Sequence, residues 1–96
     1  MVTAMAIAIR LRIEGRVQGV GYRAWLEREA SARGLRGWVR NRRDGSVEAL
    51  ISGDDDKVAD MLAYFWQGPP ASRVERVDAD PAGVPMQLGF RQLPTA

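Results

Sequence analysis

Ninety-six residues, 46% of them apolar and 27% charged, have the length and balance of one soluble globular domain spanning residues 1–96. The net charge is only +2, and the positive charge is almost all arginine, with Lys57 the single lysine. The chain has no cysteine and no histidine, which excludes disulfide staples, thiolate nucleophiles, Cys/His zinc sites, phosphohistidine chemistry and Ser-His-Asp triads. The longest apolar stretch, Ala4 to Ile9, is far short of the roughly 20 residues a membrane span needs. The opening residues also lack the basic-then-apolar pattern of a secretion leader. A cytoplasmic chain without a membrane partner is therefore expected.

In chain order, Ala6 to Glu14 alternates strictly, with Ile7, Ile9, Leu11 and Ile13 on one side and Arg10, Arg12 and Glu14 on the other, as a half-buried strand does. Gly15 to Gly21 reads as a glycine-punctuated loop. Tyr22 to Arg33 follows as a helix with Tyr22, Trp25, Leu26 and Ala30 on its apolar stripe and Gly34 closing it. Leu35 to Asn41 is a second strand, and Asp44-Gly45 marks a hairpin into a third that carries Val47, Ala49 and Ile51 inward. Asp54, Asp55 and Asp56 suit the start of a second helix, whose buried face is Val58, Met61, Leu62 and Phe65. Gly68-Pro69-Pro70 stops that helix. Arg73 to Ala79 is a fourth strand by position, and Gln87 to Gln92 is a candidate fifth.

The order strand, helix, strand, strand, helix, strand predicts a ferredoxin-like α+β sandwich, with two helices on one face of a four- or five-stranded antiparallel sheet. In that topology the first and third strands lie side by side and antiparallel. The second strand, joined to the third by a hairpin, must then run the same way as the first. The loop after strand one, the start of helix one and the end of strand two share a rim as a result. Gly15–Gly21, Arg23 and Asn41 meet there.

Glycines at 15, 19 and 21 let the chain curl tightly and aim its N–H groups inward, next to the positive end of a helix dipole. Arg23 lies at the helix start, where side chains lean back toward the N-terminus, so its guanidinium can close over an anion with two hydrogen bonds. The same glycines can equally mark a tight turn with Arg23 on the surface. Gly19-x-Gly21-x-x-Ala24 matches the dinucleotide fingerprint in form, but the required run of crossover strands is missing. Asn41, ending a strand before a hairpin, can be a turn residue and nothing more. The aspartates 54–56 lack the alternation and distal glutamate of a calcium loop and read as helix caps; no metal site is expected. Arg40, Arg42 and Arg43 read as solvated hairpin charges. Trp25, Trp38 and Trp66 read as packing residues.

Two segments taken together resemble the acylphosphatase family. Gly15-Arg16-Val17-Gln18-Gly19-Val20-Gly21-Tyr22-Arg23 is similar to that family's Gly-x-Val-Gln-Gly-Val-x-[Phe/Tyr]-Arg signature. Gly37-Trp38-Val39-Arg40-Asn41, with Asp44-Gly45-Ser46-Val47-Glu48, is similar to its second signature. The similarity runs from about Ile9 to Val77, with Tyr22 where phenylalanine is commoner. The resemblance implies an enzyme that hydrolyses the carboxyl–phosphate bond of small acyl phosphates by water attack, without metal or other cofactor; a monomer is the natural expectation for a small enzyme without an obvious apolar patch. The resemblance further implies that Arg23 binds the phosphate and Asn41 places the water. Gly15, Arg16, Val17, Gln18, Gly19, Val20, Gly21 and Tyr22 would form the backbone cradle, and inorganic phosphate would be both product and inhibitor.

Two other functions fit the element order. An RNA-binding sheet would need aromatics on its central strands, where this chain offers Ala8, Arg10, Arg12, Glu14, Glu48, Leu50 and Ser52, so no nucleic-acid partner is expected. A phosphate sensor could keep the cradle without chemistry, but it would have no use for Asn41.

Overall fold

The computed structural model describes residues 6–96; Ala4 and Met5, and the opening residues read above for a leader, lie outside the described part. Its elements are β1 (Ala6–Arg16), α1 (Tyr22–Ala32), β2 (Arg36–Asn41), β3 (Val47–Asp54), α2 (Asp55–Phe65), β4 (Arg73–Pro81) and β5 (Phe90–Gln92). The strands lie in the order β4-β1-β3-β2-β5, with β1 antiparallel to β3 and β3 antiparallel to β2. β1 and β2 therefore point the same way, and the expected common rim exists. The fold is the ferredoxin-like sandwich that the element order predicts.

Alternation places Leu11 and Ile13 of β1, Val39 of β2, and Val47, Ala49 and Ile51 of β3 in one core with the helices. α1 contributes Tyr22, Leu26 and Ala30, each one turn from the last, and α2 contributes Val58, Met61 and Phe65. Trp25 and Leu62, expected on the same stripes, are partly buried at the edge of this cluster. The poor alternation of β4 has a simple reason: it is an edge strand with β1 as its sole neighbour, and just Val74 and Val77 reach the core. Asp54 occupies the N-cap position of α2, but its side chain makes no capping hydrogen bond. No helix among the described residues is long and apolar enough to cross a membrane.

The sheet corrects one expectation, because it is mixed rather than wholly antiparallel. After β4 the chain crosses to the far edge of the sheet and adds β5 parallel to β2, pairing Gly37 with Phe90 and Val39 with Gln92. The direction of a three-residue edge strand is set by the path of the connection that delivers it, and local residue pattern carries no record of that path. Beyond β5 the pairing continues along β2, with Leu93 N–H donating to Val39 O and Ala96 N–H to Asn41 O.

Two features fix where α1 begins. The first is Gly15, at a β-bulge in the pairing of β1 with β4, with φ 127°. A Cβ there would sit 2.2 Å from the Arg73 carbonyl oxygen, so glycine is required for the two strands to approach. The second is Tyr22, whose buried hydroxyl donates to the Phe65 carbonyl at 2.7 Å. That carbonyl lies in the last turn of α2, where helical partners run out. Burial pushes the Tyr22 phenol well above its ordinary pKa, so it stays a neutral donor. The hydroxyl that distinguishes tyrosine from phenylalanine at this position thus ties the first residue of α1 to the end of α2.

Candidate active site

β1 runs on through Gly15 and Arg16, which pair with Val74 and Arg73, so the loop proper is Val17 to Gly21. Val17 turns its side chain into the core and Val20 packs partly against it. These two anchors leave the backbone between them to curl, with φ of 73° at Gly19 and 79° at Gly21. Among the described residues, no N–H group of Val17 to Gly21 donates a hydrogen bond. Gly21 is itself the N-cap of α1, so no side chain caps that helix, and its first turn carries no acid. α2 is the opposite case, with Asp55 and Asp56 in its first turn. Unengaged N–H groups and the positive end of a dipole at a helix start without cap or acid are the features an anion-binding loop needs.

A cleft of about 120 Å³ opens there, lined by Val17, Gly19, Gly21, Tyr22, Arg23, Ala24 and Gln92. Arg23 is half-buried and makes no ion pair among the described residues, so its guanidinium is uncommitted. Gln92 was not expected here. It reaches the cleft from β5 and donates to Glu27 Oε1 at 2.9 Å, and no motif announces it because a parallel edge strand brings it in.

Gly15, Arg16, Gln18 and Val20 do not line this cleft. Gly15 instead borders a neighbouring depression with Glu14, Asp44, Gly45, Ser46 and Glu75. Asn41 is not in the cleft wall either. It ends β2 opposite Val47, half-buried, with its Oδ1 enclosed and accepting no hydrogen bond among the described residues. The loop and the strand end nevertheless touch: Gln18 Nε2 donates to the carbonyls of Arg42 (2.7 Å) and Ser46 (2.8 Å), immediately beyond Asn41.

The hairpin after Asn41 is held by Asp44. Its Oδ1 accepts from the N–H (2.9 Å) and hydroxyl (2.6 Å) of Ser46, and its Oδ2 accepts from Arg12. These bonds, Ser46 first and Arg12 after, keep the carboxyl below the usual aspartate range. A carboxylate depressed in the folded state stabilises the fold above its unfolded pKa of about 4 and loses that contribution as pH falls through the lower folded value. The urea midpoint of the wild-type protein should therefore exceed that of Asp44→Ala at neutral pH, and the gap should close on acidification. A gap unchanged in strong acid would show that the carboxylate does not hold the turn.

Glu48 faces the open side of the sheet, accepts hydrogen bonds from Arg40 (2.8 Å) and Arg42 (3.2 Å), and forms an ion pair with Arg10 at 3.3 Å. Trp38 lies on the same side with the Arg40 guanidinium 4.8 Å above its ring. Arginines 40 and 42 are thus engaged by Glu48, and the Trp38 ring carries a guanidinium on one face. Aspartates 55 and 56 lie in the first turn of α2, where their charge suits the helix dipole.

The acylphosphatase family model matches residues 9–92. The chain belongs to the acylphosphatase family. It is 61% identical over 75 residues to an acylphosphatase of Bradyrhizobium diazoefficiens, covering 78% of this chain and 76% of that protein. It is 57% identical over 83 residues to one from Rhodopseudomonas palustris, covering 86% and 83%. The structure of an acylphosphatase from Coxiella burnetii superposes with a TM-score of 0.90 at 29% identity, over 97% of this chain and all of that one. Acylphosphatase activity, hydrolysis of the carboxyl–phosphate bond, is this chain's function. The family match also reaches past Val77 to take in the end of β4 and β5.

Proposed function

We propose that this acylphosphatase binds the phosphoryl group of a small acyl phosphate in the Val17–Gly21 loop, under the Arg23 guanidinium, and that Asn41 places the attacking water. The observation that carries this reading is the row of N–H groups from Val17 to Gly21, unengaged among the described residues, with an uncommitted Arg23 beside it. Gly15 and Arg16 support the loop from β1, and Gln18, Val20 and Tyr22 shape it.

The substrate explains why so few groups suffice. Its leaving group is a carboxylate, so departure needs no general acid. What is left is to hold the phosphoryl group, stabilise charge on its oxygens and bring a water in line. The loop amides and Arg23 meet the charge. The Asn41 amide, both donor and acceptor, orients the water. Water adds to phosphorus as the acyl oxygen leaves with the bonding pair, and a phosphoryl oxygen takes the water's proton. The products are a carboxylate and inorganic phosphate, and no step calls for a metal.

On the same reading the enzyme acts as a cytoplasmic monomer. Benzoyl phosphate, followed by its ultraviolet absorbance, tests the proposal. Hydrolysis should proceed in chelator, and inorganic phosphate should inhibit it competitively because it fits the same loop. Failure to compete at millimolar concentration would sink the assigned site, and salt-dependent oligonucleotide binding without hydrolysis would sink the function.

A further inference from the structure

We infer that Gln18 is a positioning residue for this hydrolysis: its side chain locks the anion loop to the strand end that carries Asn41, so that phosphoryl group and water are held in one geometry. The inference rests on the roles proposed above for the loop and for Asn41.

The two halves of the site come from elements that do not pair. β3 lies between β1 and β2, so the sheet relates the end of β1 to the end of β2 only at second hand. The loop then leaves the sheet through two glycines at positive φ, positions with much conformational freedom to lose. In-line attack needs the loop-bound phosphorus and the water near Asn41 to keep their separation to a fraction of an ångström. Something must brace the loop against the hairpin.

Gln18 is placed to do so. Both hydrogens of its Nε2 are used, one on the Arg42 carbonyl and one on the Ser46 carbonyl. Those residues follow Asn41 and precede its partner Val47, and they are already joined by the bond from Arg42 N–H to Ser46 O at 2.8 Å. One amide therefore grips both sides of the hairpin at the first pair beyond Asn41. The residue chemistry is restrictive. A glutamate in this place would set a charge against two carbonyl oxygens, and an asparagine falls one methylene short. Gln18 does not line the cleft, and both N–H groups of its amide are engaged, so it acts through Asn41 and not on the substrate.

Phosphate affinity should depend on the loop amides and Arg23 alone, whereas turnover should depend on the brace as well. For Gln18→Met, kcat on benzoyl phosphate should fall at least about tenfold while the inhibition constant of inorganic phosphate changes less than about threefold, since small misplacement costs rate more than binding. In an Asn41→Ala background the same change should lower kcat no further, because the brace has no water-placing group to hold. Should Gln18→Met fail to fold, as judged by urea unfolding, Gln18→Asn is measured in the same way.

Equal losses in kcat and phosphate affinity would reduce Gln18 to support of the loop and overturn the inference. So would an unchanged kcat, or a full additional loss in the Asn41→Ala background. If Asn41→Ala alone kept normal turnover, the proposed role of Asn41 would fall first, a result distinguishable from failure of the brace.

Discussion

Arg23→Ala should lose benzoyl phosphate turnover by at least roughly 10²–10³-fold, the loss of about 2.7–4 kcal/mol that typically follows removal of one preorganised donor to developing charge. Inorganic phosphate should bind more weakly as well, because the guanidinium meets the anion in ground and transition states alike. Arg23→Lys should recover only part of the rate, since an ammonium restores the charge but not the two-pronged geometry. Stability should change little, within about 0.5 kcal/mol, because the side chain is only half-buried and makes no ion pair among the described residues. Parallel measurement of kcat/KM, phosphate inhibition and urea midpoints checks all of this. Near-normal kcat/KM in a folded Arg23→Ala protein would remove Arg23 from the site.

Asn41→Ala should show a different signature. Turnover should fall by a similar factor, about 10²–10³, because the orienting amide acts as the water attacks. Phosphate inhibition should stay close to the wild-type value, since the loop and Arg23 remain. The fold should be as stable as before or more so: an enclosed acceptor without a partner in the protein costs about 1–3 kcal/mol, and the substitution removes it. The combination of lost kcat, kept phosphate affinity and undiminished stability is not what a turn-forming asparagine predicts. A variant that kept its kcat, or lost stability and activity together, would return Asn41 to the turn.

The two signatures divide the labour of the site. On the proposed reading charge is met by a loop whose N–H groups donate no hydrogen bond among the described residues. On that reading water is placed by the end of β2, from a separate element of the sheet. The helix that starts between them is pinned at its first residue by Tyr22 to the end of α2, so the cradle inherits its position from the packing of both helices.

Much of this was legible in the linear chain because it rests on local rules. Alternation in Ala6 to Glu14, the Asp44-Gly45 turn and the spacing of Val58, Met61 and Phe65 each specify an element by period alone, and the order of elements then implies the topology. That topology puts Arg23 and Asn41 on one rim without any knowledge of side-chain contacts, and the two signatures point to an acyl phosphate. Other facts depend on which surfaces meet in space. The parallel attachment of β5 follows from a connection that crosses the sheet to its free edge, and with it comes Gln92 in the cleft wall. Gly15 reads as a loop glycine but is held in a strand by its approach to Arg73. Three arginines close around Glu48, contacts that join separate strands, and a guanidinium lies over the Trp38 ring. The grip of Gln18 on the Arg42 and Ser46 carbonyls spans more than 20 residues. Residue pattern records which face of an element is apolar, and so the layers; it does not record which polar side chain finds which distant carbonyl, because that partner exists only once the layers have packed.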